Sequence, residues 1–182
     1  MSPATVRRLL HASSALVLLL HFSGSPDLLR NTLIGGAAFA AILDVLRVTR
    51  PAFGAFMTEL VPVFRVSESH RLSGATWLSI GYAVAAWFPH PAATAGILAG
   101  ALADPAASWI GSTVAKPSTT KTWLGSGAAA VVAAAVLLTT GIPLALVVGG
   151  AVVAMLLERW SGPLNDNLVV APGVALFVWV FL

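Results

Sequence analysis

The chain has 182 residues, of which 58% are hydrophobic and only 9% charged, where a soluble domain carries about 25% charged. Ten Lys+Arg and seven Asp+Glu cannot clothe a soluble fold of this size, and so apolar a chain is not intrinsically disordered. A mean hydropathy of +0.90 points instead to an all-α, polytopic integral membrane protein. At roughly 20 residues per span the chain holds about seven helices and no separate soluble domain, so residues 1–182 read as a single transmembrane domain. The absence of cysteine excludes disulfides, thiolate nucleophiles and Cys-ligated metals.

In chain order, the first apolar segment runs from about Leu9 to Phe22 behind Arg7 and Arg8. It ends in His21-Phe22-Ser23-Gly24-Ser25-Pro26 rather than in a small-residue cleavage site, and reads as a retained anchor. The second span covers about Leu33 to Leu46. Between Arg47 and Arg71, Phe53, Phe56, Leu60 and Phe64 fall at helical spacing, interrupted by Pro62. This pattern predicts an amphipathic interfacial segment, either a connector lying on the headgroups or a gate over a lipid entry path. The third span runs from about Leu72 to Phe88, and the fourth starts near Ala92. Gly125–Thr140, Leu144–Leu157 and Leu168 onward form the fifth, sixth and seventh. Gly96 and Gly100 have small-xxx-small spacing, and Ala128 to Ala135 offers a small-residue face; both suit close helix packing.

Seven spans with a cytoplasmic N-terminus put Arg7, Arg8, Arg47, Arg50, Arg65, Arg71, Lys116, Lys121 and Arg159 on one side and Arg30 alone on the other. This is the positive-inside pattern, so the net charge of +3 speaks for orientation and not for nucleic acid. The polar loops fall on the cytoplasmic face, and the C-terminus lies opposite.

Polar residues in apolar surroundings mark the candidate site. Asp104 lies about twelve residues into the fourth span and is followed by Pro105, which breaks helix interiors and favours the first turn of a new helix. Asp-Pro therefore predicts a broken fourth helix. Asp104 either caps the second half or serves a polar cavity. The loop GSTVAKPSTTKTWLGSG offers Lys116, Thr120, Lys121, Thr122, Gly125 and Ser126, the parts of a phosphate site, though it equally suits a solvated turn. Asp166 and Asn167 are hard oxygen ligands suited to Mg²⁺, or a cap for the seventh span. Glu158 closes the sixth span. Glu68, His70 and Arg71 precede the third, where capping and snorkelling are the simpler roles. His11 lies one turn after Arg7, as a packing, polar-network or ligand residue.

The segments ADPAASWIGS and KTWLGS resemble the GDPxAxxxGxxxG…KTxEGS signature of the dolichol kinase and phytol kinase group, which includes CTP-dependent diacylglycerol kinases and is related to phosphatidate cytidylyltransferases. ESHRLSGATWLSIG, ERWSGPLNDNLVVAP and the N-terminal RRLLH are similar to further segments of that group, so the resemblance covers nearly the whole chain in order. It implies a lipid kinase that moves a phosphoryl group from CTP to a lipid alcohol with Mg²⁺. The neighbouring alternatives are CMP transfer to phosphatidic acid or a small transporter. By resemblance, Asp104 is the catalytic or metal-linked carboxylate and Lys121 contacts nucleotide phosphates. Lys116, Thr120, Thr122, Gly125, Ser126 and Asn167 line the nucleotide, and Asp166 completes the metal site. Glu68, His70, Arg71 and Glu158 support it. Two positions depart from the pattern: Ala103 stands where Gly is usual, and Leu124 where Glu is usual. Glu68 or Glu158 could supply the missing carboxylate. A homo-oligomer is compatible with the sequence.

Overall fold

A computed structural model describes the chain except Gly24, Pro62, residues 115–120 and residues 161–163; the side chains of residues 21–23, 26 and 66 are also outside the description. Among the described residues the fold is all-helical, with no strand. Lys116 and Thr120 lie outside the described residues.

Helix α1 spans Pro3–Ser13, capped by Ser2, whose side chain accepts from the Thr5 N–H. It gives way to a 3-10 segment, Ser14–Ser23. Ser14 marks the change: its hydroxyl donates to the His11 carbonyl at 2.5 Å and lies 2.8 Å from the Tyr82 hydroxyl. A serine that bonds back to the preceding turn competes with the α-helical ladder. Helix α2 spans Pro26–Thr49, and Asp27–Thr49 is the one described helix long and apolar enough to cross a membrane. Helix α3, Pro51–Leu60, occupies the expected interfacial segment and buries no residue. Helices α4 (Gly74–Ala85), α5 (His90–Val114), α6 (Trp123–Leu138), α7 (Leu144–Arg159) and α8 (Asp166–Phe181) complete the bundle.

Helix α5 corrects the expectation of a break at Asp104. It continues through Pro105 for 25 residues, so Asp104 caps nothing. An interior proline costs roughly 3 kcal/mol relative to alanine. Here α5 is the central helix and packs most extensively on α6 and α8, with Ala103, Pro105 and Ala107 buried. Tertiary packing on several sides holds the turn that the lost N–H would have closed. The cap of α8 is likewise Asn165, whose side chain accepts from the Asn167 N–H; Asp166 is the first helical residue.

The bundle is small inside and large outside. One core cluster joins α5, α6, α7 and α8 through Ala95, Ala99, Ala103, Ala129, Ala133 and Ala154, all fully buried. The outer surface exposes Phe39, Ile42, Val131, Leu144, Val148 and Leu176, each 47% or more. Gly96 and Gly100 pack on Ala171 and Ala175 of α8, so the small-xxx-small pair is a packing face.

Helix direction alternates, which gathers the expected polar segments at one end. Arg8 Nε donates to Ser108 Oγ at 3.0 Å, tying the middle of α1 to the last third of α5. Asn167 Nδ2 donates to the Gly74 carbonyl at 3.1 Å, tying α8 to α4. At the opposite end Arg30 stacks on Trp87, 4.6 Å from the ring centroid, and Phe88 packs on Trp179.

Candidate functional site

Three carboxylates meet at the polar end. Asp104 comes from just past the middle of α5, Glu158 from the end of α7 and Asp166 from the start of α8, each offering one oxygen within 4.8 Å of the others. Lys121, two residues before α6, reaches into this group. Its Nζ is 3.1 Å from Glu158 Oε1 and 2.6 Å from Asp166 Oδ2, and it also donates to the Glu158 carbonyl. Burial favours the neutral amine, but Asp166 and Glu158 outweigh it and hold the Lys121 pKa above its ordinary 10.5. A raised pKa means that the ammonium's contribution is complete below that value and is lost only as pH climbs through the folded-state value.

Each member is oriented by a neighbour. Glu158, 3% exposed, accepts from Ser126 Oγ at 3.3 Å. Arg159 donates to Ser126 Oγ and the Lys121 carbonyl, and lies 3.6 Å over the Trp123 ring. Asp104 Oδ2 lies 3.3 Å from His11 Nδ1. The other ring nitrogen, Nε2, donates to the Gly100 carbonyl at 3.0 Å. His11 thus bridges the Asp104 carboxylate to the turn of α5 that precedes it.

The structure therefore brings Asp104, Lys121 and Asp166 together, and places Glu158 and His11 at the centre with them. Ser126 enters through Glu158. Gly125 does not offer a free backbone donor: its N–H is bonded to Thr122 Oγ1, and a Cβ there would meet the Ala107 carbonyl at 2.7 Å. Gly125 is the close-approach residue between α5 and α6, and Thr122 is the N-cap of α6. Leu124 points outward, 55% exposed, so the third carboxylate comes from Glu158 and not from α6. Glu68 stands elsewhere: its two oxygens accept from the Arg65 and Gly74 N–H groups, each at 2.9 Å. Asn167 bonds Gly74, with its Oδ1 buried and unpartnered among the described residues. His70 and Arg71 are exposed.

One polar pair was not singled out from the sequence. Asp44 and Arg47 of α2 form a buried ion pair at 2.7 Å, 4% and 5% exposed. Asp44 also accepts from the Ser73 N–H and Thr76 Oγ1, while Arg47 donates to the Glu68 and Arg71 carbonyls. The pair fixes the segment that carries Glu68, His70 and Arg71. The signal was there: two opposite charges one helical turn apart inside an apolar helix.

Three carboxylates against one ammonium leave excess negative charge, and an all-oxygen donor set is the kind that Mg²⁺ prefers. The residues present fit a divalent cation held by Asp104, Glu158 and Asp166. In comparisons with protein-family models, curated proteins and solved structures, the chain matches none.

Proposed function

We propose that the protein is a membrane-embedded transferase that moves a phosphoryl group from CTP, or another nucleoside triphosphate, to the hydroxyl of a lipid alcohol. The observation that carries this reading is the meeting of Asp104, Glu158, Asp166 and Lys121 at the end of a bundle whose outer face is aliphatic and aromatic. Small residues inside and large apolar residues outside suit helices packed in lipid. Trp109, Trp123 and Trp160 at the polar end and Trp87 and Trp179 at the other end suit the two interfacial aromatic belts. Helices α6, α7 and α8, at 16 residues each, run roughly 24 Å, and their flanking turns complete the crossing. Arg7, Arg8, Arg47, Arg65, Arg71, Lys121 and Arg159 at the polar end support a cytoplasmic placement of that end.

The chemistry asks little covalent work of the protein. The lipid hydroxyl oxygen attacks the terminal phosphorus, the bond to the bridging oxygen breaks, and the nucleoside diphosphate leaves. Asp104, oriented by His11, takes the hydroxyl proton. Lys121 sets an ammonium beside the transferred group, and Glu158 and Asp166 hold it there. Mg²⁺, when bound by the three carboxylates, supplies charge neutralisation for the donor phosphates.

The test is purified protein with CTP labelled at the α or the γ phosphate and a mixed lipid extract. Lipid labelled from the γ position is expected. Label from the α position would make the protein a cytidylyltransferase, and no label in lipid from either would contradict a nucleotide-dependent transferase.

A further inference from the structure

Beside the carboxylate cluster lies a cavity of about 650 Å³. Its walls are the end of α2, the segment from Arg65 to Leu72, Trp77 of α4 and the start of α8. One wall is apolar: Val45, Val48, Leu72, Trp77 and Leu168. The other carries Arg65, His70 and Arg71, with Glu68 between them. No hydrogen-bond or ion-pair partner among the described residues engages these three side chains. Glu68 lies on the same wall and keeps its negative charge while both oxygens accept from backbone N–H groups, so it offsets one of the two guanidinium groups and leaves the wall net positive. The cavity is therefore cationic on one side, greasy on the other, and large enough for a ligand of modest size.

We propose that this cavity binds a lipid whose headgroup ends in phosphate, with Arg65 and Arg71 on the phosphate and the acyl chain along Val45, Val48 and Leu168. Two guanidinium groups offer paired donors to a phosphate dianion, and His70 adds a third donor. The apolar wall selects a lipid over a free nucleotide. Val45 lines the cavity and is also 51% exposed, one helical turn beyond Ile42, 59% exposed. The wall is thus continuous with the outer apolar face of α2, the helix long enough to span a membrane, and a chain leaves the cavity along it. Helix α8 joins the two sites: Asn165 and Leu168 line the cavity, while Asp166 between them belongs to the carboxylate cluster. The occupant's headgroup is thereby held next to the reacting groups, as product or as acidic lipid substrate. The cavity's binding chemistry stands on its own residues; its place in a reaction rests on the transferase reading.

Binding of radiolabelled phosphatidate to the full chain in detergent micelles tests this directly, with diacylglycerol, CTP and inorganic phosphate as competitors. The expected result is saturable binding that none of the three displaces. The double variant Arg65→Gln/Arg71→Gln is expected to weaken binding by about tenfold or more, with thermal stability unchanged. If that variant does not fold, Val48→Trp fills the apolar wall, and the same loss of binding is expected. Undiminished binding in a folded variant, displacement by diacylglycerol, or displacement by CTP or phosphate would overturn the proposal; the last would hand the cavity to the nucleotide or to free phosphate. The transfer assay separates the two claims, since γ-label entering lipid while phosphatidate fails to bind sinks only the cavity.

Discussion

Lys121 carries more of the site than a loop lysine would. Its ammonium meets two carboxylates and a carbonyl, one of the carboxylates being the buried Glu158. The expectation that Lys121 chiefly holds nucleotide therefore needs a structural partner role added. Lys121→Ala is expected to lower stability by about 2 kcal/mol, because Glu158 is left short of a partner, and to weaken nucleotide binding as well. A thermal melt in detergent beside a binding isotherm checks both; loss of binding with an unmoved melt would return Lys121 to a purely ligand-facing role. The Asp44–Arg47 pair is buried on both sides. Removing one partner of such a pair costs roughly 3–5 kcal/mol. Asp44→Ala should thus be among the most damaging single changes in the chain, visible as a large fall in melting temperature or as failure to accumulate.

The helices and their order were legible because apolar runs bounded by Gly, Pro and Ser leave little choice. Local signals misled at Asp104-Pro105, where chain chemistry says break and the helices packed around α5 say continue. Register decided the other difference. On α6, Leu124 faces outward while Gly125 and Ser126 are buried, so the carboxylate looked for at Leu124 arrives from α7 as Glu158. No pattern within α6 alone could show that, since it depends on how α7 is rotated against it. Leu124→Glu is accordingly expected to leave turnover and Mg²⁺ dependence within about twofold of wild type, while Glu158→Gln lowers turnover by about 100-fold. A gain of activity in Leu124→Glu would place the missing ligand on α6 after all. The alanine core makes a packing prediction too. Ala133, fully buried, should lose about 1–3 kcal/mol on substitution by leucine, whereas Val131→Leu, at a position 70% exposed, should be nearly neutral in the same melt.

Across the whole molecule, the sequence's one-sided distribution of arginine and lysine became a physical end of the bundle, with the carboxylate cluster, the Asp44–Arg47 network and the cationic cavity all on it. The cavity itself was not legible, because its walls come from segments more than a hundred residues apart. The membrane orientation is open to direct labelling, since the chain has no cysteine of its own. Ser69→Cys and Thr139→Cys, both exposed and at opposite ends, should react with an impermeant thiol reagent from opposite faces, Ser69→Cys from the cytoplasmic one. Labelling of both from one face would detach the polar end from cytoplasmic nucleotide. The most direct measurement is transfer of label from γ-labelled CTP to lipid by wild type and by Asp104→Asn at matched thermal stability. Transfer by wild type and a loss of about 100- to 1,000-fold in the variant is the expected result; equal transfer by both, or none by wild type, would contradict phosphoryl transfer at Asp104.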